Sequence, residues 1–142
     1  MDKYSTALHA AAVAAVPGWV ERSVARRAGV RANELADRAT EAGVAAAAEV
    51  DRALRTLLET DIDEQRTNPL SILRSAVRFP SAVLAEAGIA PVGRDSFVTR
   101  AFPTDVYDLA PATWRDVDES LLEPGIEWGA WKAKQHLDRR RR

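Results

Sequence analysis

Residues 33–58 read NELADRATEAGVAAAAEVDRALRTLL. Leu35, Ala39, Ala42, Ala46, Val50, Ala53 and Leu57 recur in it at spacings of three and four, the interval that returns to one side of a helix with 3.6 residues per turn. Asn33 is a suitable cap. Glu34 with Arg38, Asp51 with Arg55, and Arg55 with Glu59 stand four apart with opposite signs; such pairs add a few tenths of a kcal/mol each and mark a solvated face. The stretch predicts a long amphipathic helix, alanine-rich in the middle and leucine-rich at Leu54, Leu57 and Leu58. Alanine favours the helix and lets backbones approach but contributes little apolar area, so hydrophobic anchoring should concentrate at the leucine end. Continued to Glu64, the helix would run about 48 Å, longer than the roughly 37 Å diameter of a compact chain of this size. Either Gly43 divides it or it projects toward a partner.

Toward the N-terminus, Ser5 or Thr6 can cap a helix through Val16, which Pro17 should interrupt. A second helix, 18–28, would carry Trp19, Val20, Val24 and Ala28 on one side and stop at Gly29. Toward the C-terminus, Asn68-Pro69 is a helix start signal, followed by a stripe of Leu70, Leu73, Ala76 and Val77. Ser81 can begin a short helix after Pro80 that stops at Gly88, and Asp95 or Ser96 can cap another that must end before Pro103. Residues 102–127 mix seven carboxylates with Val106, Tyr107, Leu109, Trp114, Val117, Leu121 and Leu122. That apolar content argues against a disordered acidic segment and for short helices with corners at Ala110-Pro111 and Glu123-Pro124-Gly125. A last helix carries Ile126, Trp128, Trp131 and Leu137, and Arg139 to Arg142 form a frayed basic tail. Strand-like alternation is weak throughout. The expected fold is an all-α irregular helical bundle with a long alanine-rich helix and short C-terminal helices. It forms one domain over 1–138, with an extended front (1–66), a compact second part (67–138) and the tail 139–142.

Composition bounds the function. A chain of 142 residues can bury a sizeable core. A net charge of -1 provides no global field toward nucleic acid or an anionic membrane. The absence of cysteine excludes disulfides, thiolate metal sites and thiol catalysis within this chain. The apolar run Ala7 to Val16 is shorter than the about 20 residues of a membrane span and too rich in alanine for a secretion signal. It reads as a buried or partner-facing helix of a cytoplasmic protein.

Three constellations carry functional weight. The densest polar group is the junction of Glu59, Asp61, Asp63, Glu64, Arg66 and Asn68. Glu59 and Asp63 would share a helical face able to hold a hard cation, but no histidine, second carboxylate pair or phosphate loop accompanies them, so no metal or cofactor is expected. Arg22, Arg26, Arg27 and Arg31 flank the Gly29 turn in a pattern that faintly resembles a helix-turn-helix. Glu34 and Asp37 at the start of the would-be reading helix oppose phosphate there. Leu54, Leu57, Leu58, Trp128 and Trp131 are the candidate interaction anchors, with the tryptophans expected to serve first as core plugs. His9 and His136 are too few for a histidine-rich metal centre. The leading reading is a non-catalytic interaction or adaptor protein with an unidentified protein partner, self-associating through the long helix. A nucleic-acid binder is the runner-up, and an enzyme using carboxylates near Asp61 and Asp63 is third.

The residues from Leu58 to Leu70, Ala87-Gly88-Ile89-Ala90-Pro91, Phe102-Pro103-Thr104-Asp105-Val106-Tyr107, and the run from Glu123 to Ala130 resemble a group of small, functionally uncharacterised actinobacterial proteins. The resemblance spans Leu57 to Leu137 and implies a cytoplasmic bacterial protein without assigned catalytic residues. The alanine-rich front and the four-arginine end depart from the group's pattern and leave room for a lineage-specific partner.

Overall fold

The computed structural model describes residues 2–60, 69–89 and 113–141, which are helical with no strand among them. Helix α1 (Lys3–Ala28) and helix α2 (Ala32–Glu59) are joined by one 3-10 turn, Gly29–Arg31. Two short helices follow, α3 (Pro69–Ser75) and α4 (Arg78–Glu86). The C-terminal part holds the single-turn α5 (Trp114–Val117), a 3-10 turn over Glu119–Leu121, and α6 (Leu122–Arg140).

The front half departs from expectation at Pro17, which lies inside α1 and does not end it. An interior proline removes one helical hydrogen bond and costs about 3 kcal/mol. The compensation is packing: Leu8, Ala12, Ala15, Val16, Trp19, Val20 and Val24 are buried on both sides of the proline. The cap is also different. Asp2, not Ser5 or Thr6, closes the N-terminus, its Oδ1 accepting from the amides of Tyr4 and Ser5 at 2.9 Å and its Oδ2 from the Ser5 hydroxyl at 2.8 Å. Gly29 ends α1 as expected, with a positive φ of 58° that favours glycine.

Helix α2 runs unbroken through Gly43. His9 meets Asp51, Pro17 meets Gly43, and Glu21 meets Thr40. As the α1 number rises the α2 number falls, so the two helices form an antiparallel hairpin, about 39 and 42 Å long. Gly43 is the crossing point: a Cβ there would stand 3.0 Å from the Pro17 Cα and 3.1 Å from its carbonyl oxygen. The buried line on α2 is Leu35, Ala39, Gly43, Ala46, Val50, Leu54 and Leu58. It is rotated slightly from the stripe read in sequence, since Ala42, Ala53 and Leu57 sit half-buried at its edge. Glycine carries no hydrophobic signal, yet the closest approach of the helices places it at the centre.

Among the described residues two clusters form the core. The larger joins Leu8, Val16, Trp19 and Val20 of α1 to Val50, Leu54 and Leu58 of α2, Leu70 and Leu73 of α3, and Val117, Leu121 and Trp128 of the C-terminal part. Each fully buried leucine there contributes roughly 2 kcal/mol. The smaller packs Val24, Ala28, Leu35 and Ala39 against Val83 and Leu84 of α4. Anchoring is thus strongest at the leucine end of α2.

Short helices begin and end where local chemistry dictates. Pro69 opens α3. Pro80 lies in the first turn of α4 rather than before it, where amide protons have no helical acceptor and a proline loses nothing. Gly88 (φ 77°) closes α4, with the Ile89 amide bonding Leu84 O at 2.9 Å and the Gly88 amide bonding Ala85 O at 3.0 Å, a Schellman termination. The expected corner at Glu123-Pro124-Gly125 is absorbed into the first turn of α6, and the basic tail is helical through Arg140. Gly125 is required there because the Trp114 ring occupies the space a Cβ would take.

Gly43→Ala should therefore destabilise the protein by about 1 kcal/mol or more, overpacking against backbone outweighing the gain in helix propensity. Gly129→Ala, on a helical glycine with nothing within 4 Å of its would-be Cβ, should instead stabilise by roughly 0.5–1 kcal/mol. Urea unfolding of both variants checks the contrast, and a stabilised Gly43→Ala would disprove the crossing contact.

Candidate functional site

The anchors read from sequence divide sharply in space. Leu54 and Leu58 are buried, Leu57 packs at the core edge, and all three are covered within the chain. The apolar line of the long helix is likewise spent on α1. Within one chain that apolar line is already occupied by α1, α3 and α4, so it is not an open face of the long helix. Trp128 is buried and closes the core. Its indole Nε1–H has no acceptor among the described residues, and an indole left unpaired costs about 1–3 kcal/mol against the area gained by the ring. Trp131 is half-buried beside Tyr4, ring centroids 6.0 Å apart and planes tilted by 33°.

Arg22 and Arg31 are engaged within the fold. The Arg22 guanidinium donates to Val117 O at 2.9 Å and to Asp118 at 3.2 Å, tying α1 to the end of α5. Arg31 donates to Ala87 O at 2.9 Å and grips Glu34 through two bonds of 3.1 and 3.2 Å. Arg26 and Arg27 have interaction partners as well. Moreover, an antiparallel hairpin lacks the crossing geometry of a helix-turn-helix, whose helices meet at about 90–120°. Arginines that cap carbonyls and pair with carboxylates are structural fasteners.

The enzyme alternative and most of the polar junction, Asp61, Asp63, Glu64, Arg66 and Asn68, lie outside the described residues; Glu59 is exposed at the end of α2. Among the described residues no group of three or more His, Asp or Glu is placed to hold a metal. His9 is held at 2.7 Å from Asp51 Oδ1 and 3.3 Å from the Asp51 carbonyl. Both contacts are acceptors, so Nε2 carries the proton and the ring fastens α1 to α2. Asp51 also accepts from Arg55 at 3.2 Å.

Among the described residues, Val30, Val44, Ile126 and Leu137 are the large apolar side chains left exposed, and two of the four share the outer side of α6. Ile126 is 59% exposed and Leu137 is 55% exposed, and Ala130 and Ala133 between them are exposed too. At 100° per residue these four positions lie within about 60° of one another, and Trp128 lies nearly opposite. Helix α6 is thus apolar on two opposite sides, one on the core and one in water. Beside the outer stripe a groove of about 380 Å³ opens between α1 and α6, lined by Tyr4, Glu127, Ala130, Trp131, Lys134 and Gln135. An aromatic floor flanked by one acid and one base suits an amphipathic helix. The sequence places Ile126 and Leu137 on the last helix, and the spacing of four, three and four from 126 to 137 is the signal that sets them on one side.

No family model, curated protein or solved structure matches the chain. Among the described residues no helix is long and apolar enough to cross a membrane.

Hydrogen bonds and charges at the helix contacts set the acid response. The Arg55 hydrogen bond, helped by His9, holds the Asp51 carboxyl below its ordinary value of 3.8, and bonds from Ser120, helped by Arg22, do the same for Asp118. Burial pushes the Asp2 carboxyl up, but the bonds from Ser5 and Tyr4 together outweigh it and the net shift is downward. A carboxyl with a lowered folded pKa contributes stability that is complete above its unfolded value and is lost as pH falls through the folded one. The urea midpoint should accordingly hold steady down to about pH 5 and decline below the ordinary value, with a shallower decline in Asp51→Asn. An identical acid limb in that variant would show that Asp51 contributes nothing.

Proposed function

We propose that this chain is a non-catalytic cytoplasmic interaction or adaptor protein, of the actinobacterial group its C-terminal half resembles, that receives an amphipathic helix on the outer side of α6. The observation that carries this reading is the pair Ile126 and Leu137, both more than half exposed and aligned on one helical stripe opposite the core. Single exposed apolar residues are ordinary. A stripe of four that borders an aromatic groove is a docking arrangement, with Tyr4 and Trp131 as the anchors that typically dominate binding energy. The resemblance supports the cytoplasmic location.

The test is affinity capture from a lysate of the native host with the full-length chain and with Ile126→Asp/Leu137→Asp. Both positions are exposed, so the double variant should unfold within roughly 1 kcal/mol of the parent. Loss of the specific co-purifying protein in the variant is the expected outcome. Unchanged capture would overturn the docking role of α6.

A further inference from the structure

The stripe on α6 is complementary to itself when reversed, and we infer that the helix docking there is α6 of a second copy, packed antiparallel about a two-fold axis that passes between Ala130 and Ala133. This rests on the docking role of α6 proposed above and names its partner. With that centre, Ile126 meets the partner's Leu137, Ala130 meets the partner's Ala133, and Glu123 meets the partner's Arg140; symmetry repeats each layer. Antiparallel coiled helices bring flanking positions together in the same way, so Glu127 stands across from the partner's Lys134, twice per dimer.

The charges choose this arrangement over its alternatives. Glu123 and Glu127 occupy the first half of the exposed side, Lys134 and Arg140 the second. None of the four makes an ion pair among the described residues, so all are available across an interface. A parallel pairing would set Glu123 against its own copy and Arg140 against its own copy, with repulsion at both ends. Antiparallel pairing joins opposite charges at the Glu123–Arg140 and Glu127–Lys134 layers, and the central alanines permit a close interaxial distance of about 8 Å. Glu127 and Lys134 also line the Tyr4–Trp131 groove, so the cross-pairs would form at its rim.

The contact is small. Two large apolar side chains and two alanines per copy cover less than the ~800 Å² per partner of a standard stable interface. The dimer is therefore reversible, with a Kd on the order of 10–100 µM, and weakens as salt screens the cross-pairs.

Sedimentation equilibrium of the full chain over a concentration series, at low and moderate salt, reads this directly. The parent should show reversible dimerisation; E127K and K134E should each weaken it about tenfold, since two attractive pairs become two repulsive ones. The E127K/K134E double variant should recover the parent affinity. An equimolar mixture of the two single variants should form a heterodimer, because one chain then presents two bases and the other two acids, a result no folding defect can imitate. A parent that stays monomeric to roughly 1 mM, single reversals without effect, or a mixture that fails to associate would each overturn the inference. If the parent is monomeric while Ile126→Asp/Leu137→Asp still abolishes capture of another protein, the docking role stands and only the identity of the partner fails. If neither changes, both fail.

Discussion

The architecture turns on the approach of Gly43 to the backbone of Pro17. Two helices about 40 Å long can approach this closely only if no side chain at the crossing holds the axes apart. Glycine at 43 removes that obstacle, and the alanines on either side of it, Ala39 and Ala46, keep the approach close. Because dispersion falls off steeply with separation, the same closeness lets Val16, Trp19 and Val20 reach α2. A proline that would break an isolated helix is carried inside α1 because burial on both sides of it exceeds its cost.

The hairpin then arranges everything else. Its leucine-rich end, with Leu8, Leu54 and Leu58, offers the larger apolar area, and α3 and the C-terminal part converge there. Its turn end is smaller and is closed by α4, fastened through the hydrogen bond from Arg31 to the Ala87 carbonyl. Arg22 performs the parallel task for α5. Both arginines satisfy backbone carbonyls at helix ends and pair with a nearby carboxylate, Asp118 for Arg22 and Glu34 for Arg31.

Helix α6 shows how one helix can serve two masters. Trp128 and Gly125 face the core, the latter making room for Trp114, while Ile126 and Leu137 face water. A helix with apolar residues on opposite sides gives a weak average amphipathic signal, so its second side is hard to recognise until the first is known to be covered. The basic end, helical through Arg140, extends that outer side and supplies the charges that oppose Glu123 and Glu127.

Much of this was legible in the residues. The three–four spacing from Leu35 onward determined a long helix, Gly29 and Gly88 determined stops where only glycine adopts the backbone angle easily, and Pro69 determined a start. These are local constraints, set by sterics and hydrogen bonding within a turn or two of chain. What tertiary structure alone decided was which apolar surfaces are covered. Pro17 remains in a helix, Gly43 is a crossing point rather than a divider, Leu54 and Leu58 are core rather than docking anchors, and Ile126 and Leu137 are left outside. The reason is that burial belongs to pairs of surfaces: spacing along one helix shows that a stripe is apolar, but only the neighbour's position determines whether water or protein lies against it.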